Sequence, residues 1–360
     1  MINVTQTFFP PLEEYVAQLQ RIWDTKWLTN RGELVKELEA KLNERLGVKN
    51  LLVVNNGTIA LQIAIKALDL TGEIITTPFS YVATVSSIVW ENCTPDFVDI
   101  DADYLTIDET KIEAAITEKT SAILATHVYG NPCNVEAIAA IAEKHNLKVV
   151  YDAAHCFGVN YKGESILNWG DVSTLSFHAT KLFHTAEGGA IVCRNDELAH
   201  RIFYMHNFGH KGHEDFWGLG INGKICELQA AMGLAVLPHL DDIIARRKSV
   251  CDLYDELLIQ NTPLEKPLVR AGTDYNYAYY PVLFPAEKDL HSVKNALNEQ
   301  DIFPRRYFYP GLEKLPYVER IEVPVGTDIS QRVLCLPLYS ELDMQTVIKI
   351  SEIVKYALEL

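Results

Sequence analysis

Between about residues 50 and 195, short apolar runs alternate with stretches of helical spacing. LLVVNNG (51–57) predicts a strand ending in a turn. From residue 58 the run TIALQIAIKALDL places Ile59, Ile63 and Ala67 on one helical face. The alternation continues with EIITTP as a strand and SYVATVSSIVW as a helix despite its β-branched residues. DFVDID is then a strand, ETKIEAAI a helix, SAILATHVYG a strand, VEAIAAIAEKHN a helix and LKVVYDAAHCFG a strand. DVSTLSFHATK and GGAIVC predict two further short strands with a turn between them. Strand and helix alternating at this pitch predict βαβ units on a mostly parallel sheet. Strands this rich in Val, Ile and Leu suit a sheet buried on both faces.

After Asn222 a long helical pattern, ICELQAAMGLAVLPHLDDIIARRKSVCDLYDELL, is interrupted or kinked at Pro238. Beyond about residue 262 short strands and helices mix, as in YNYAYYPVLF and SVKNALNEQ. The change of spacing predicts a large domain over residues 1–245 and a small one over 246–360, consistent with 360 residues at about 150 per domain. Hydrophobic residues are 48% of the chain and charged residues 22%, which fits a large core and excludes extended disorder. Lys plus Arg is 32 against 48 for Asp plus Glu, a formal charge of −16. Such a surface repels nucleic acid and anionic membrane. An anionic substrate therefore needs a local pocket of backbone N–H groups and a few cations. The seven cysteines include no C-x-x-C pair and read as reduced, buried thiols of a cytosolic protein. The opening MINVTQTFFPPLEEY has acidic residues and no apolar core of signal-peptide length. No run approaches the roughly 18 apolar residues of a membrane helix. The expected location is the cytoplasm.

Ligands of such sheets bind at the carboxyl ends of the strands. Polar clusters at residues 55–58, 152–155 and 176–181 follow or close predicted strands. Lys181 lies in SFHATKLFHTAEGGA, an aromatic, small and glycine-rich stretch. Alone it reads as a surface lysine. In a pocket its amine can form a Schiff base with a carbonyl, and desolvation makes it nucleophilic. Asp152 ends the strand KVVYD. It reads equally as a cap or turn residue and as the carboxylate that pairs with the ring nitrogen in a pyridoxal phosphate enzyme. Asn56, Gly57 and Thr58 open a helix directly after a strand, where glycine lets the backbone approach a phosphate and free N–H groups face it. A plain helix cap is the simpler reading of that tripeptide. Ser176, five residues before Lys181, is placed to offer its hydroxyl to the same phosphate. Tyr81 is either core packing or an aromatic stacked on a planar ring.

Taken together and in this order, NNGTIAL, TTPFSYVAT, YDAAHCFG, SFHATKLFHTAEGGA and GINGKICELQAAMGLAVL resemble the nucleotide-sugar aminotransferases of the DegT/StrS family. The resemblance runs from KWLTNRGELVKELE to VLCLPLYSEL, nearly the whole chain. It implies an α/β fold of the fold-type I aminotransferase class. The large domain would hold a mostly parallel, seven-stranded mixed sheet flanked by helices, with a smaller C-terminal α/β domain. It implies pyridoxal 5'-phosphate as cofactor, Lys181 as Schiff-base lysine and proton shuttle, and Asp152 on the ring nitrogen. Gly57, Thr58 and Ser176 would hold the phosphate, Tyr81 would stack on the ring, and His155 would lie beside it. Asn222, in GING, matches an asparagine that reaches the phosphate from the partner subunit, so the resemblance implies a homodimer with shared active sites. Trp27, Thr29 and Gly32 match a segment over the sugar. RRYFYPG (305–311) matches a stretch lining the sugar site, with Tyr309 its foremost contact. Arg305, Arg306 and Lys211 are candidates for a diphosphate. The implied reaction moves an amino group from glutamate to a nucleotide-linked 4-keto-6-deoxyhexose, first of all dTDP-4-keto-6-deoxyglucose. The product would be a 4-amino-4,6-dideoxy sugar for a surface polysaccharide. Relatives with histidine in place of the lysine are dehydratases, so Lys181 favours transamination.

Three other readings compete. Amination at C3 of a keto-sugar would use the same cofactor apparatus. A non-catalytic, cofactor-binding regulatory protein would ordinarily have lost the lysine or the aspartate, and both are present. His206, His210 and His213 in HNFGHKGH invite a metal site, but the spacing is not a standard one. A polar substrate loop is the favoured reading of that stretch, with no metal expected.

Overall fold

The computed structural model describes residues 1–260 and 262–360. Seven strands form the central sheet: β1 (Asn50–Val54), β2 (Glu73–Thr76), β3 (Thr94–Phe97), β4 (Thr120–Thr126), β5 (Lys148–Asp152), β6 (Val172–Ser176) and β7 (Gly189–Cys193). Their order across the sheet is β1-β7-β6-β5-β4-β2-β3. Pairing is parallel from β3 through β2, β4 and β5 to β6, and β7 runs antiparallel to both β6 and β1. This is the mostly parallel, mixed sheet of the expected fold class.

The helices that cover the sheet include α1 (Leu12–Thr25), α2 (Glu33–Leu46), α3 (Gly57–Ala67), α4 (Val82–Trp90), α5 (Glu109–Ala115), α6 (Val135–His145), α7 (Asp196–Met205) and α8 (Glu227–Val236). Successive strand residues point to opposite faces. Ile123, Ala125, Val149 and Tyr151 join one cluster with Leu38 of α2, Ile138 of α6 and Leu234 of α8. Ala122, Leu124 and Val150 join another with Ala60 and Ile63 of α3 and Ile202 of α7. Helices therefore bury both faces, which is why the strands read as nearly continuous apolar runs.

The strands are shorter than those runs. β4 stops at Thr126, where a 3-10 turn over Val128–Gly130 takes the chain out of the sheet with Tyr129 at φ 58°. β5 stops at Asp152, the last residue in register with both neighbours, opposite Thr126 and Thr174. β3 and β6 likewise end at Phe97 and Ser176. The apolar residues beyond these ends pack in loops over the sheet edge.

The predicted long helix breaks at Leu237–His239, a 3-10 turn carrying Pro238, and continues as α9 (Leu240–Tyr254). By length and composition Glu227–Ile259 suffices to cross a bilayer. Here its apolar residues are core. Ala230, Ala231, Leu234 and Ile243 pack under the sheet, and Val250, Cys251, Tyr254 and Leu258 pack into a second cluster. That second cluster is built on β8 (Tyr280–Leu283), antiparallel to β9 (Val333–Leu336), with α10 (Glu287–Asn298) and α12 (Met344–Ala357) against them; α11 (Pro324–Arg332) leads into β9. The start of the chain returns to this unit, since Ile2 and Asn3 pair in parallel with Ile302 and Phe303.

Candidate active site

The carboxyl ends of β1, β4, β5 and β6 open into one cavity of about 270 Å³. Its lining includes Asn56, Gly57, Thr58, Tyr81, Asp152, His155, Ser176 and Lys181. At the end of β1 the Asn56 side chain accepts from the Ile59 N–H and starts α3. Gly57 and Thr58 open the first turn, so their N–H groups have no carbonyl a turn earlier and face outward with the positive end of the helix. Glycine is needed twice here. A Cβ on Gly57 would lie 3.1 Å from Cβ of Ser176, and one on Gly189 would lie 2.7 Å from the Asn56 backbone and from the Leu175 carbonyl. Thr58 and Ser176 line the cavity beside this helix start, so backbone donors and two hydroxyl-bearing residues make an anion cup there.

Asp152 is buried at the end of β5. Its Oδ2 accepts from Thr84 Oγ1 at 2.7 Å and its Oδ1 from the Ala154 N–H at 3.2 Å. Burial raises its pKa, while Thr84, the Ala154 N–H and the charge of Lys181 pull it back. The anion keeps lone pairs for a further donor, such as a protonated ring nitrogen. Thr84 is itself held by Ser80 at 2.7 Å, and Ser80 by Thr126 at 3.0 Å. Burial lowers the Lys181 amine to about 8, partly offset by Asp152, Tyr81 and Cys156. An amine so tuned exchanges protons near neutral pH. His155 is held neutral, first by burial and then by Lys181. Its Nδ1 accepts from the Tyr129 N–H at 3.1 Å, so the proton sits on Nε2.

Seven residues expected at the site thus gather on one cavity: Gly57, Thr58, Tyr81, Asp152, His155, Ser176 and Lys181. Others do not reach it on their own chain. Trp27 and Thr29 are exposed in the turn between α1 and α2. Gly32 has a local reason to be glycine: a Cβ there would lie 2.5 Å from Trp27 and 2.7 Å from Glu227, whose carboxylate accepts from the Leu34 and Val35 N–H groups at the start of α2. Asn222 is exposed beside the end of β1, its Oδ1 accepting from Lys224 at 2.5 Å. Tyr309 is about half exposed, with the Arg306 guanidinium 3.5 Å over its ring.

The three candidate cations separate. Arg305 lines the cavity. Arg306 is pinned to Glu287 at 2.8 Å and to the carbonyls of Ser330 and Gln331. Lys211 is exposed near Asp215, at 3.9 Å. His206, His210 and His213 do not converge: His206 is buried and donates from Nδ1 to the Phe203 carbonyl, while His210 packs on Phe216. Tyr307 and Phe308, inside the 305–311 stretch expected at the sugar site, do line the cavity, whereas sequence reasoning singled out none of Thr84, Thr126, Glu187 and Tyr279. Thr126 was findable, because it ends β4 as Asp152 ends β5. Nothing local marks Tyr279, whose hydroxyl accepts from Lys181 Nζ at 3.3 Å across 98 residues of chain.

A buried aspartate, a desolvated lysine and an anion cup, set at the carboxyl ends of a seven-stranded mixed sheet, define a fold-type I aminotransferase. Residues 12–355 match the DegT/DnrJ/EryC1/StrS aminotransferase family, and the chain belongs to it. It is 44% identical over 349 residues to the dTDP-4-amino-4,6-dideoxy-D-glucose transaminase of Shigella dysenteriae, covering 95% of each chain. It is 41% identical to the enzyme of the same name from Escherichia coli, covering 98% of this chain and 97% of the relative. Among solved structures, DesI in the presence of its TDP-sugar product superposes with a TM-score of 0.93 at 30% identity, covering 99% of this chain and 92% of that one.

Proposed function

We propose that this protein is a pyridoxal phosphate-dependent aminotransferase. It would take the amino group of glutamate and give it to C4 of a dTDP-linked 4-keto-6-deoxyglucose, making a 4-amino-4,6-dideoxy sugar for a surface polysaccharide. The observation that carries the reading is the convergence of the Lys181 amine, the Asp152 carboxylate and the start of α3 on one cavity. The choice of sugar is supported by the two dTDP-amino-sugar relatives above 40% identity.

The residues present fit the cofactor. Gly57, Thr58 and Ser176 would hold its phosphate and Tyr81 would stack on its ring, with His155 beside it. When bound, the cofactor supplies an electron sink for the carbon that loses a proton. Asp152 would pair with the ring nitrogen and favour its protonated form, because a buried anion is stabilised by a donor it can pair with. Lys181 would be the residue that holds the cofactor covalently. Its amine would serve as the general base and acid that takes up the proton of the substrate carbon and gives it back. Neutral His155 adds no positive charge beside the ring. Arg305 is the cavity's candidate for the anionic groups of either substrate. Trp27, Thr29, Tyr309 and Asn222 would meet sugar and phosphate in a homodimer, Asn222 from the second subunit. The enzyme would work in the cytoplasm.

The test is incubation with glutamate and dTDP- or GDP-linked 4-keto and 3-keto sugars, followed by NMR of the product. The expected result is an amine at C4 of the dTDP-linked sugar. Amination at C3 would overturn the regiochemistry, and no amination of any sugar would overturn the substrate class.

A further inference from the structure

We infer that Tyr279 is the positioning partner of the Lys181 amine, holding it where it can accept and return protons; this rests on the reading of Lys181 as the reacting amine. Lys181 Nζ donates to the Tyr279 hydroxyl at 3.3 Å and lies 5.8 Å from the centre of its ring. A hydroxyl oxygen that accepts from the amine stabilises the ammonium form. It also leaves the lone pair of the neutral amine unspent. One contact thus serves both states that a proton carrier visits.

The tyrosine comes from the segment before β8, and that segment is fixed more firmly than core packing requires. The buried Asn276 donates from Nδ2 to the carbonyls of His155 at 2.8 Å and Phe157 at 3.0 Å, and its Oδ1 accepts from the Ala278 N–H at 3.2 Å. Gly130 makes room for that amide, since a Cβ there would lie 2.7 Å from Asn276 Oδ1. Buried Arg247 donates from Nε to the Tyr277 carbonyl at 3.1 Å and from Nη2 to the Ala278 carbonyl at 2.8 Å. Burying a guanidinium is costly unless it is well hydrogen-bonded, and here its bonds go to the two residues just before Tyr279. The Tyr279 ring then packs edge-on against His155, centroids 4.8 Å apart. Asn276 therefore ties the tyrosine to the loop that follows Asp152, so that Lys181, His155 and Tyr279 keep one geometry.

The experiment titrates Lys181 in the full-length protein without added cofactor. Trace acetic anhydride labels amines competitively from neutral to alkaline pH, and the Lys181 peptide is quantified by mass spectrometry. Tyr279→Phe removes only the acceptor, so the Lys181 value, about 8 in the parent protein, should fall by roughly one unit. Asn276→Ala, which unpins the segment and keeps the hydroxyl, should move it the same way. Tyr275→Phe, whose hydroxyl donates to the Tyr129 carbonyl at 2.9 Å, should not move it. An unchanged Lys181 titration in both Tyr279→Phe and Asn276→Ala, or an equal fall in Tyr275→Phe, overturns the assignment. Labelling needs no cofactor, so failure of the transaminase reading would show separately, as absence of amino transfer by the parent protein.

Discussion

Replacing Thr84 by valine keeps the shape of a buried side chain and removes one hydroxyl. That hydroxyl donates to Asp152 Oδ2 at 2.7 Å. A hydrogen bond to a charged group contributes about 1.5–3 kcal/mol, and valine opens no cavity. The loss falls on the ionised form of Asp152, the form that the proposed pairing with a protonated ring nitrogen requires. Taking the lower end of the range, kcat/KM for the half-reaction with glutamate should fall about tenfold at neutral pH. It should recover as the pH rises, because the acid limb moves up. Stability carries the same signature. Burial raises the folded-state pKa of Asp152, so its contribution is fully present below the unfolded value and is lost as pH rises through the folded one. Thr84→Val raises the folded value further. The melting temperature of the variant should therefore drop below the parent's at neutral pH, and the gap should close on acidification. Stopped-flow absorbance with glutamate and thermal melts across pH measure both. Equal rates at every pH, or a stability gap that ignores pH, would refute the role given to Thr84.

Other outcomes follow from the same geometry. Gly57→Ala puts a methyl 3.1 Å from Cβ of Ser176 in the anion cup, so the cofactor Kd should rise about tenfold or more in a spectroscopic titration. Glu227→Gln weakens the acceptor that caps Leu34 and Val35 at 2.8 and 3.3 Å, and should lower the unfolding free energy by about 1–2 kcal/mol in urea. His127 is pushed from 6.5 down to about 3, by burial first and then by Arg270. The unfolded chain takes up that proton below about 6.5 while the folded chain stays neutral, so stability should fall as pH drops through that window. His127→Asn, whose Oδ1 keeps an acceptor for the Cys133 N–H at the place of Nδ1, should flatten the fall in urea midpoints measured across pH.

The central sheet and the lysine–aspartate pair were legible because their signals are local. Apolar runs mark strands buried on both faces, and polar residues at the carboxyl ends mark the site, as at Asn56, Asp152 and Ser176. Pro238 marked the break between α8 and α9 for the same reason. Strand ends were less legible. Residues such as Val128 and Tyr129 are apolar and buried, yet they pack in a turn over the sheet edge, so hydrophobicity alone overextends the strand. Thr84 hides in an apolar-looking helix, where its hydroxyl has meaning only beside Asp152, 68 residues away. Tyr279 sits in a tyrosine-rich strap that reads as ordinary core, and only the fold brings it to Lys181. The separation of Arg305 from Arg306 is likewise tertiary: neighbours in sequence, one lines the cavity and the other is bonded to Glu287.

The central claim is that Lys181 is the amine that carries the cofactor. The most direct measurement is borohydride reduction of the protein loaded with pyridoxal phosphate, followed by peptide mass spectrometry of the parent and of Lys181→Ala. The account predicts a phosphopyridoxyl group on Lys181 in the parent protein, with loss of the absorbance at about 410–430 nm characteristic of a lysine Schiff base in the variant. Labelling of a different lysine, or a variant that retains both the label and the absorbance, would contradict it.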